Sequence, residues 1–133
     1  MSPLRMIVAQ SGPAPERLRK LIDALIAAKR RRAADDPELF TAYRALAADA
    51  KSVVAAHIDE LVGLVAEVIA FGVEEGTFRA VDPVSAGRAV LVATSRFHHP
   101  AHAAEWADPA IDGAYDDVWR LLMDGLCVPR GTR

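Results

Sequence analysis

Three of the four histidines in this 133-residue chain lie close together and are its most capable metal ligands. His98, His99 and His102 are spaced so that two imidazoles would lie about one helical turn apart, a separation at which they can share a metal ion. Pro100 lies between them and should end the preceding helix, so the regular spacing is lost. Capping or hydrogen bonding at a helix end is the favoured interpretation, and no metal ligand is predicted.

Two His/Glu pairs, His57 with Glu60 and His102 with Glu105, have the i,i+3 spacing at which iron can be bound inside a helical bundle. Di-iron carboxylate bundles use the opposite order, Glu-x-x-His, together with further inward glutamates. Because that order does not occur here, a metal-dependent bundle enzyme stays an alternative only. No cofactor is expected.

The sequence supports nucleophilic catalysis as little as it supports a metal site. Cys127 follows the last predicted helix and has no local histidine, while Ser85 and Ser95 lie in helical stretches without a nucleophile-elbow pattern. No glycine-rich phosphate loop is present. The sequence therefore predicts no catalytic residues and a protein that is not an enzyme.

Composition indicates one globular domain of ordinary size. Hydrophobic residues make up 52% of the chain, the net charge is −2, and the single cysteine excludes an internal disulfide framework. The longest apolar stretch, residues 62–73, contains Glu67 and is too short for a bilayer, so a cytoplasmic protein without membrane contact is expected. The basic run of residues 29–32 is interpreted as the last turn of a helix, where cations complement the helix dipole, rather than as a nucleic-acid patch.

Helix start and stop signals divide the chain. Three Asp-Pro pairs, at residues 36–37, 82–83 and 108–109, are expected to open helices, and Gly76 is expected to close one. Apolar residues between these marks recur every three or four positions, which is typical of helices. The sequence predicts an all-α bundle of about six helices, over residues 3–10, 15–34, 37–49, 51–75, 83–98 and 110–126.

The helices predicted over residues 83–98 and 110–126 are apolar on two faces. Such a helix either lies in the middle of a domain or buries its second face against a partner, and a two-fold dimer built as a four-helix bundle is the favoured interpretation. The predicted interface residues are Val84, Arg88, Leu91, Val92, Ser95, Tyr115, Val118, Trp119, Leu122, Met123 and Leu126.

A ligand pocket is the remaining candidate site. His57 is a polar side chain on the apolar stripe of the long central helix, and aromatic side chains come from several other segments. Apolar cavities with a few polar groups, placed between bundle helices, are typical small-molecule sites. Plain core packing is the alternative for each residue. The predicted ligand-binding residues are Tyr43, His57, Leu61, Leu64, Phe71, Phe97, His98 and Trp106.

Several segments, taken in order, resemble the regulatory domain of the tetracycline-repressor (TetR) family. They are residues 14–22, residues 36–40, the run Ile69-Ala70-Phe71-Gly72-Val73-Glu74-Glu75-Gly76-Thr77-Phe78-Arg79, the helix that ends in Arg96-Phe97-His98-His99-Pro100, and the closing Leu121-Leu122-Met123-Asp124-Gly125-Leu126. The similarity covers roughly residues 3–126. It implies the effector-binding and dimerisation domain of a one-component transcriptional regulator, usually a repressor, that forms a homodimer and releases its operator when a small effector binds.

The resemblance has one large gap, because no helix-turn-helix precedes the bundle. We interpret residues 1–133 as one regulatory domain in which residues 1–12 are a remnant of the connecting helix, residues 13–126 form the bundle and residues 127–133 are a tail. Operator DNA would then be bound only through an N-terminal domain that is missing here, and this chain alone is expected not to bind it specifically. A free-standing interaction module that dimerises with other regulators is the alternative.

Overall fold

The structure is a computed structural model that describes residues 3–38, 41–42 and 51–129, except for the side chains of residues 51–56. Its helices are α1 (Pro3–Val8), α2 (Ala14–Asp35), α3 (Lys51–Glu74), α4 (Pro83–Ala93), α5 (Ser95–His98), a 3-10 helix (Pro100–Glu105) and α6 (Ile111–Leu126). The predicted all-α fold is confirmed. Most of the predicted helix 37–49, and with it Tyr43, lies outside the described residues.

The core forms where α2 crosses α3. Along α2, Leu18, Ile22 and Leu25 recur at helical spacing and are buried, so one face of the helix is apolar throughout its first three turns. Along α3, Val65, Val68 and Ile69 are buried in the same way. The long amphipathic faces of these two helices therefore bury each other, and the remaining helices pack around them.

The turn between α3 and α4 follows the predicted signals. Gly76 has a φ of 81°, the left-handed conformation in which glycine closes a helix without steric cost. Asp82 caps α4, because its side chain accepts a hydrogen bond from the Ser85 amide at 2.9 Å. Gly87 then lets α4 approach α3 closely, since a Cβ at this position would lie 3.3 Å from backbone atoms of Val62 and Ala66.

Of the other two Asp-Pro pairs, the pair at 36–37 acts as predicted, because helical structure resumes at Pro37, whereas the pair at 108–109 does not. Asp36 ends α2, because its amide bonds back to the Arg32 carbonyl. Asp108 lies in the turn before α6, where its side chain accepts from the Ala110 amide at 2.9 Å. The carboxylate of an aspartate serves a turn or a helix start equally well, and the surrounding chain decides between them.

The predicted helix 83–98 is interrupted at Thr94, between α4 and α5. Thr94 is fully buried, and its hydroxyl donates to the Val90 carbonyl at 2.8 Å. A threonine hydroxyl that bonds back to the preceding turn bends a helix, which explains the break. Among the described residues, no helix is both long and apolar enough to cross a membrane.

Helix α6 packs against α2 and α5 through Ile111, Tyr115 and Trp119. Trp119 lies on the buried face of this helix with Ile111 and Tyr115, because the positions 111, 115 and 119 repeat every four residues. Past the end of α6, Cys127 pairs with Phe78 in an isolated β-bridge. This bridge joins the end of the chain to the turn after α3.

Candidate functional site

A small apolar void lies between α1, α2, α3 and α4. Its volume is about 10 Å³, comparable to one water-sized sphere, so it holds no larger ligand in this conformation. Every side chain around it is aliphatic, and two of the predicted ligand-binding residues are among them. The lining consists of Leu4, Leu21, Ile22, Leu25, Leu61, Leu64, Val65 and Leu91.

A basic pair lies one helical turn from two of the residues that line this void. The Nζ atom of Lys29 is 3.2 Å from Nε2 of His57, and the lysine side chain is buried. Lys29 follows Leu25 by four residues and His57 precedes Leu61 by four, so each member of the pair is one helical turn from a residue that lines the void. The α2–α3 interface therefore changes from apolar to basic over a single turn.

The hydrogen bond between Lys29 and His57 determines which nitrogen of the imidazole carries the proton. An ammonium group only donates, so His57 must accept at Nε2 and carry its proton at Nδ1. Burial, followed by the positive charge of Lys29, lowers the pKa of His57, which favours this neutral form. Burial also lowers the pKa of Lys29, and the charge of Arg32 adds to that effect.

His98 is a buried imidazole on which the charge of Lys29 also acts. Its Nε2 atom lies 3.0 Å from the hydroxyl of Thr94, and both residues are buried. Burial is the main cause that lowers the pKa of His98 to about 4, and the charges of Lys29 and His99 lower it further. His98 is therefore neutral at physiological pH.

This arrangement predicts that the fold loses stability as the medium becomes acidic. Because the pKa of His98 is about 4 in the folded chain and 6.5 in the unfolded one, the unfolded state binds more protons between those values. Stability is complete above pH 6.5 and declines as the pH falls toward 4. We expect urea unfolding to show a loss of about 2 kcal/mol between about pH 7.5 and about pH 5.

The variant His98→Gln is the control for that measurement. Glutamine keeps a polar group beside Thr94 but does not titrate, so the pH dependence should become clearly shallower. The lowered pKa values of His57 and His99 leave a smaller slope of the same sign. An identical pH dependence in the variant and the parent chain would contradict the assignment to His98.

The other predicted ligand-binding residues lie away from the void. Phe97 is in the core against Tyr115, with ring centroids 5.2 Å apart. Trp106 is half-buried and donates its indole N–H to the Arg96 carbonyl at 3.0 Å. Phe71 is exposed under the Arg17 guanidinium, which lies 4.4 Å from the ring centroid. The structure thus brings together His57, Leu61 and Leu64, places His98 nearby through Lys29, and separates the aromatic side chains.

A larger open groove of about 380 Å³ lies between α2 and α6. Its charged side chains already pair with one another, since Arg19 bonds Asp116 at 2.8 Å and Asp23 at 3.1 Å. The Tyr115 hydroxyl donates to Asp23 at 2.8 Å, and burial with this bond raises the pKa of the phenol. These contacts fasten α6 to α2, so the groove is a structural interface rather than a vacant ligand site.

The two residues of the second predicted histidine–glutamate pair are hydrogen-bonded to each other. His102 Nδ1 lies 2.7 Å from Glu105, and the Arg96 guanidinium donates to the same carboxylate at 2.9 Å. Hydrogen bonds from both partners lower the pKa of Glu105. Within the part of the chain that the structure describes, no three His, Cys, Asp or Glu side chains converge as metal ligands. Cys127 is half-buried, and burial raises the pKa of its thiol.

Comparison with known protein families decides the assignment. A family model described as the tetracyclin repressor-like, C-terminal domain matches residues 14–119, from the first residue of α2 into α6. The chain belongs to this family. No curated protein and no solved structure matches it significantly. TetR-like C-terminal domains are regulatory domains of transcription regulators, which assigns the chain a regulatory role.

The residues predicted to form a TetR-type dimer interface divide into three sets in the structure. Four of them lie in the core of the single chain: Leu91, Tyr115, Trp119 and Leu126. Val84, Arg88 and Val92 form an exposed strip along α4, with 52% of Val84 and 68% of Val92 accessible. Four others are half-buried: Ser95, Val118, Leu122 and Met123.

Sequence reasoning missed Lys29 as a member of the candidate site. It was assigned with its basic neighbours to the last turn of a helix, but α2 runs to Asp35 and only Arg32 of that run lies in its last turn. The available signal was its spacing, because Leu18, Ile22, Leu25 and Lys29 continue one stripe at steps of four, three and four. Lys29 therefore lies on the buried face of α2.

Proposed function

We propose that this chain is the effector-sensing and dimerisation domain of a cytoplasmic TetR-family transcriptional regulator. In this proposal two copies associate through α4 and α6, and a small, mostly apolar effector binds between α2 and α3. Operator DNA is bound by a separate N-terminal helix-turn-helix domain in the full-length regulator. The family match supports the regulatory role, and the side chains described below support its two specific activities.

The observation that carries dimerisation is the exposed apolar surface of the two last long helices. Val84 and Val92 on α4 and Leu121 on α6 are exposed, and 74% of Leu121 is accessible. Ala89 lies between the two valines on the outer side of α4, where a small side chain permits close approach of a second helix. Large apolar side chains gain stability when a partner covers them.

The contacts of α1 support coupling between the effector site and the rest of the regulator. Leu4 lines the apolar void, and Arg5 forms an ion pair with Glu67 of α3 at 2.5 Å. An effector that enlarges the void has to move Leu4, and α1 with it. In the TetR-like arrangement this segment corresponds to the helix that leads to the DNA-binding domain. Effector affinity and DNA affinity are then coupled reciprocally through its position.

Replacing Val92 with glutamate tests the proposed dimer. In a two-fold interface the substitution occurs twice, and each carboxylate loses water without gaining a partner. We expect the parent chain to sediment at about twice the 14.3 kDa chain mass, and Val92→Glu to raise the dimer Kd by about tenfold or more. Analytical ultracentrifugation across a concentration series measures both.

Val128→Glu is the matched control. Val128 is also an exposed valine, but it lies beyond α6 and outside the proposed interface. The control should dimerise like the parent chain. A parent chain that is monomeric at every concentration would refute self-association and leave the module that pairs with another regulator. If both substitutions weakened the dimer equally, the interface would not be specific to α4.

A further inference from the structure

We propose that α1 is a hinged strap over the apolar void, and that a neutral hydrocarbon ligand enters the void when this strap swings away. The hinge is Gly12, and the ion pair between Arg5 and Glu67 holds the strap closed. This inference rests on the proposed function, because it specifies the route into the same effector site and the chemical class of ligand that the site takes.

Helix α1 closes the void with an aliphatic side chain. Leu4 is the lining residue that α1 contributes, and the other lining residues come from α2, α3 and α4. Because every lining residue is aliphatic, displacement of α1 would open a surface that carries no polar side chain. A charged ligand would lose water there without gaining a side-chain partner. The site therefore favours a neutral hydrocarbon ligand.

Few buried side chains anchor α1 to the bundle. Of its six residues, Val8 is buried, Leu4 and Ile7 are half-buried, and the other three are exposed. Its ion pair with α3 joins Arg5 to Glu67, and both side chains are about half exposed. An exposed ion pair contributes little, because water competes with each partner. Opening α1 therefore costs much less than separating α2 from α3, whose facing side chains are buried.

The chain that follows the hinge is firmly held on α3. The Ala14 amide at the start of α2 donates to the Glu75 carboxylate at 3.0 Å. The buried Arg17 side chain donates to the Gly12 carbonyl at 2.8 Å and lies 4.4 Å from the centroid of the Phe71 ring. These contacts fix the start of α2 against the end of α3, so α1 can move while α2 stays in place.

Gly12 is the hinge between these two parts. Its φ is 123°, a conformation that favours glycine, and a Cβ built there would meet none of the described atoms within 4 Å. Residues 9–13 are exposed, so rotation at this point displaces no buried side chain. Rotation about this φ bond moves the chain before Gly12 and leaves its carbonyl, which Arg17 holds, in position. A few exposed residues that absorb such a dihedral change are sufficient for a hinge.

The neutral fluorescent compound N-phenyl-1-naphthylamine is the probe for this inference. It is larger than the void of about 10 Å³, so it enters only when α1 has opened. Glu67→Gln removes the ion pair that holds α1 closed. Because the apparent affinity follows the population of the open state, a fluorescence titration of the whole chain should show the probe binding about two- to fivefold more tightly to this variant.

Asp59→Asn is the matched control for Glu67→Gln. Asp59 is also a carboxylate of α3 in an exposed ion pair with another helix, through Arg88 of α4. It lies eight residues before Glu67, about 12 Å along the helix, and does not hold α1. The control should bind the probe like the parent chain. An unchanged affinity in Glu67→Gln, or an equal gain in both variants, would overturn the strap.

Gly12→Ala tests the hinge without altering the ion pair. An alanine is strained at this φ in the closed chain, so α1 should open about fivefold or more often. Hydrogen exchange should then accelerate by that factor at the amides of residues 7–10 and stay unchanged at those of residues 18–26. If both sets accelerated equally, α1 would open only together with the bundle, and the strap would be refuted.

Leu64→Glu locates the bound probe. Leu64 lines the void and is half-buried, so a carboxylate at this position disfavours a hydrocarbon in the void but keeps contact with water. Binding should be lost in a variant whose circular dichroism matches the parent chain, and undiminished binding would contradict the assignment to the void. If no form of the chain bound the probe, the inference would fail, and sedimentation of Val92→Glu would still test the proposed function separately.

Discussion

Replacing Phe97 with alanine is expected to lower the free energy of unfolding by about 3–5 kcal/mol. The ring is 1% exposed and stacks at a tilt against Tyr115 of α6, so its removal leaves a cavity between α5 and α6. The surrounding helices are held by other contacts and can collapse into that cavity only in part. Urea unfolding followed by far-ultraviolet circular dichroism measures the loss.

Phe71→Ala is the matched control, because both phenylalanines were predicted to bind the ligand. Phe71 is 39% exposed, and its main described contact is the Arg17 guanidinium above the ring. Its removal should cost about 1 kcal/mol, the scale of an exposed cation–π contact. Similar losses for the two variants would show that Phe97 is not the core residue that its burial indicates.

Replacing Gly72 with alanine should destabilise the chain by about 3 kcal/mol, at the upper end of the usual cost of overpacking a core. A Cβ at this position would lie 2.2 Å from the Phe78 ring, well inside the contact distance of two carbon atoms. The ring has little room to retreat, because Phe78 is buried and its amide bonds to the Gly72 carbonyl at 3.0 Å. The methyl group therefore displaces the turn that closes α3.

Gly63→Ala, on the same helix, should stabilise the chain instead of destabilising it. A Cβ at Gly63 meets none of the described atoms within 4 Å, and alanine gains up to about 1 kcal/mol over glycine inside a helix. Thermal and urea unfolding of the two variants compare the same substitution in the same helix. If Gly72→Ala were as stable as Gly63→Ala, Phe78 would not occupy the space beside Gly72.

The two open spaces in the described part of the chain differ in what lines them. The larger groove, between α2 and α6, is lined by charged groups that already bond to each other, such as Arg19 with Asp116. The smaller void is apolar, and its lining residues Leu25 and Leu61 are each one helical turn from Lys29 or His57.

The sequence alone was sufficient for the fold class and for most helix boundaries. Spacing of three and four between apolar residues predicted α2, α3 and α6, because one buried stripe is enough to specify an amphipathic helix. Gly76 predicted the end of α3 because the left-handed conformation strongly favours glycine. These are local effects, and each is determined by residues within a few positions along the chain.

Only the tertiary structure decided which side chains share a site. The burial of Lys29 depends on how far α2 continues, and its contact with His57 depends on how α3 crosses that helix. Phe71 and Phe97 look alike in the sequence, yet one is exposed and the other is in the core. Contacts between residues distant in sequence arise from helix packing, which no local pattern of residues specifies by itself.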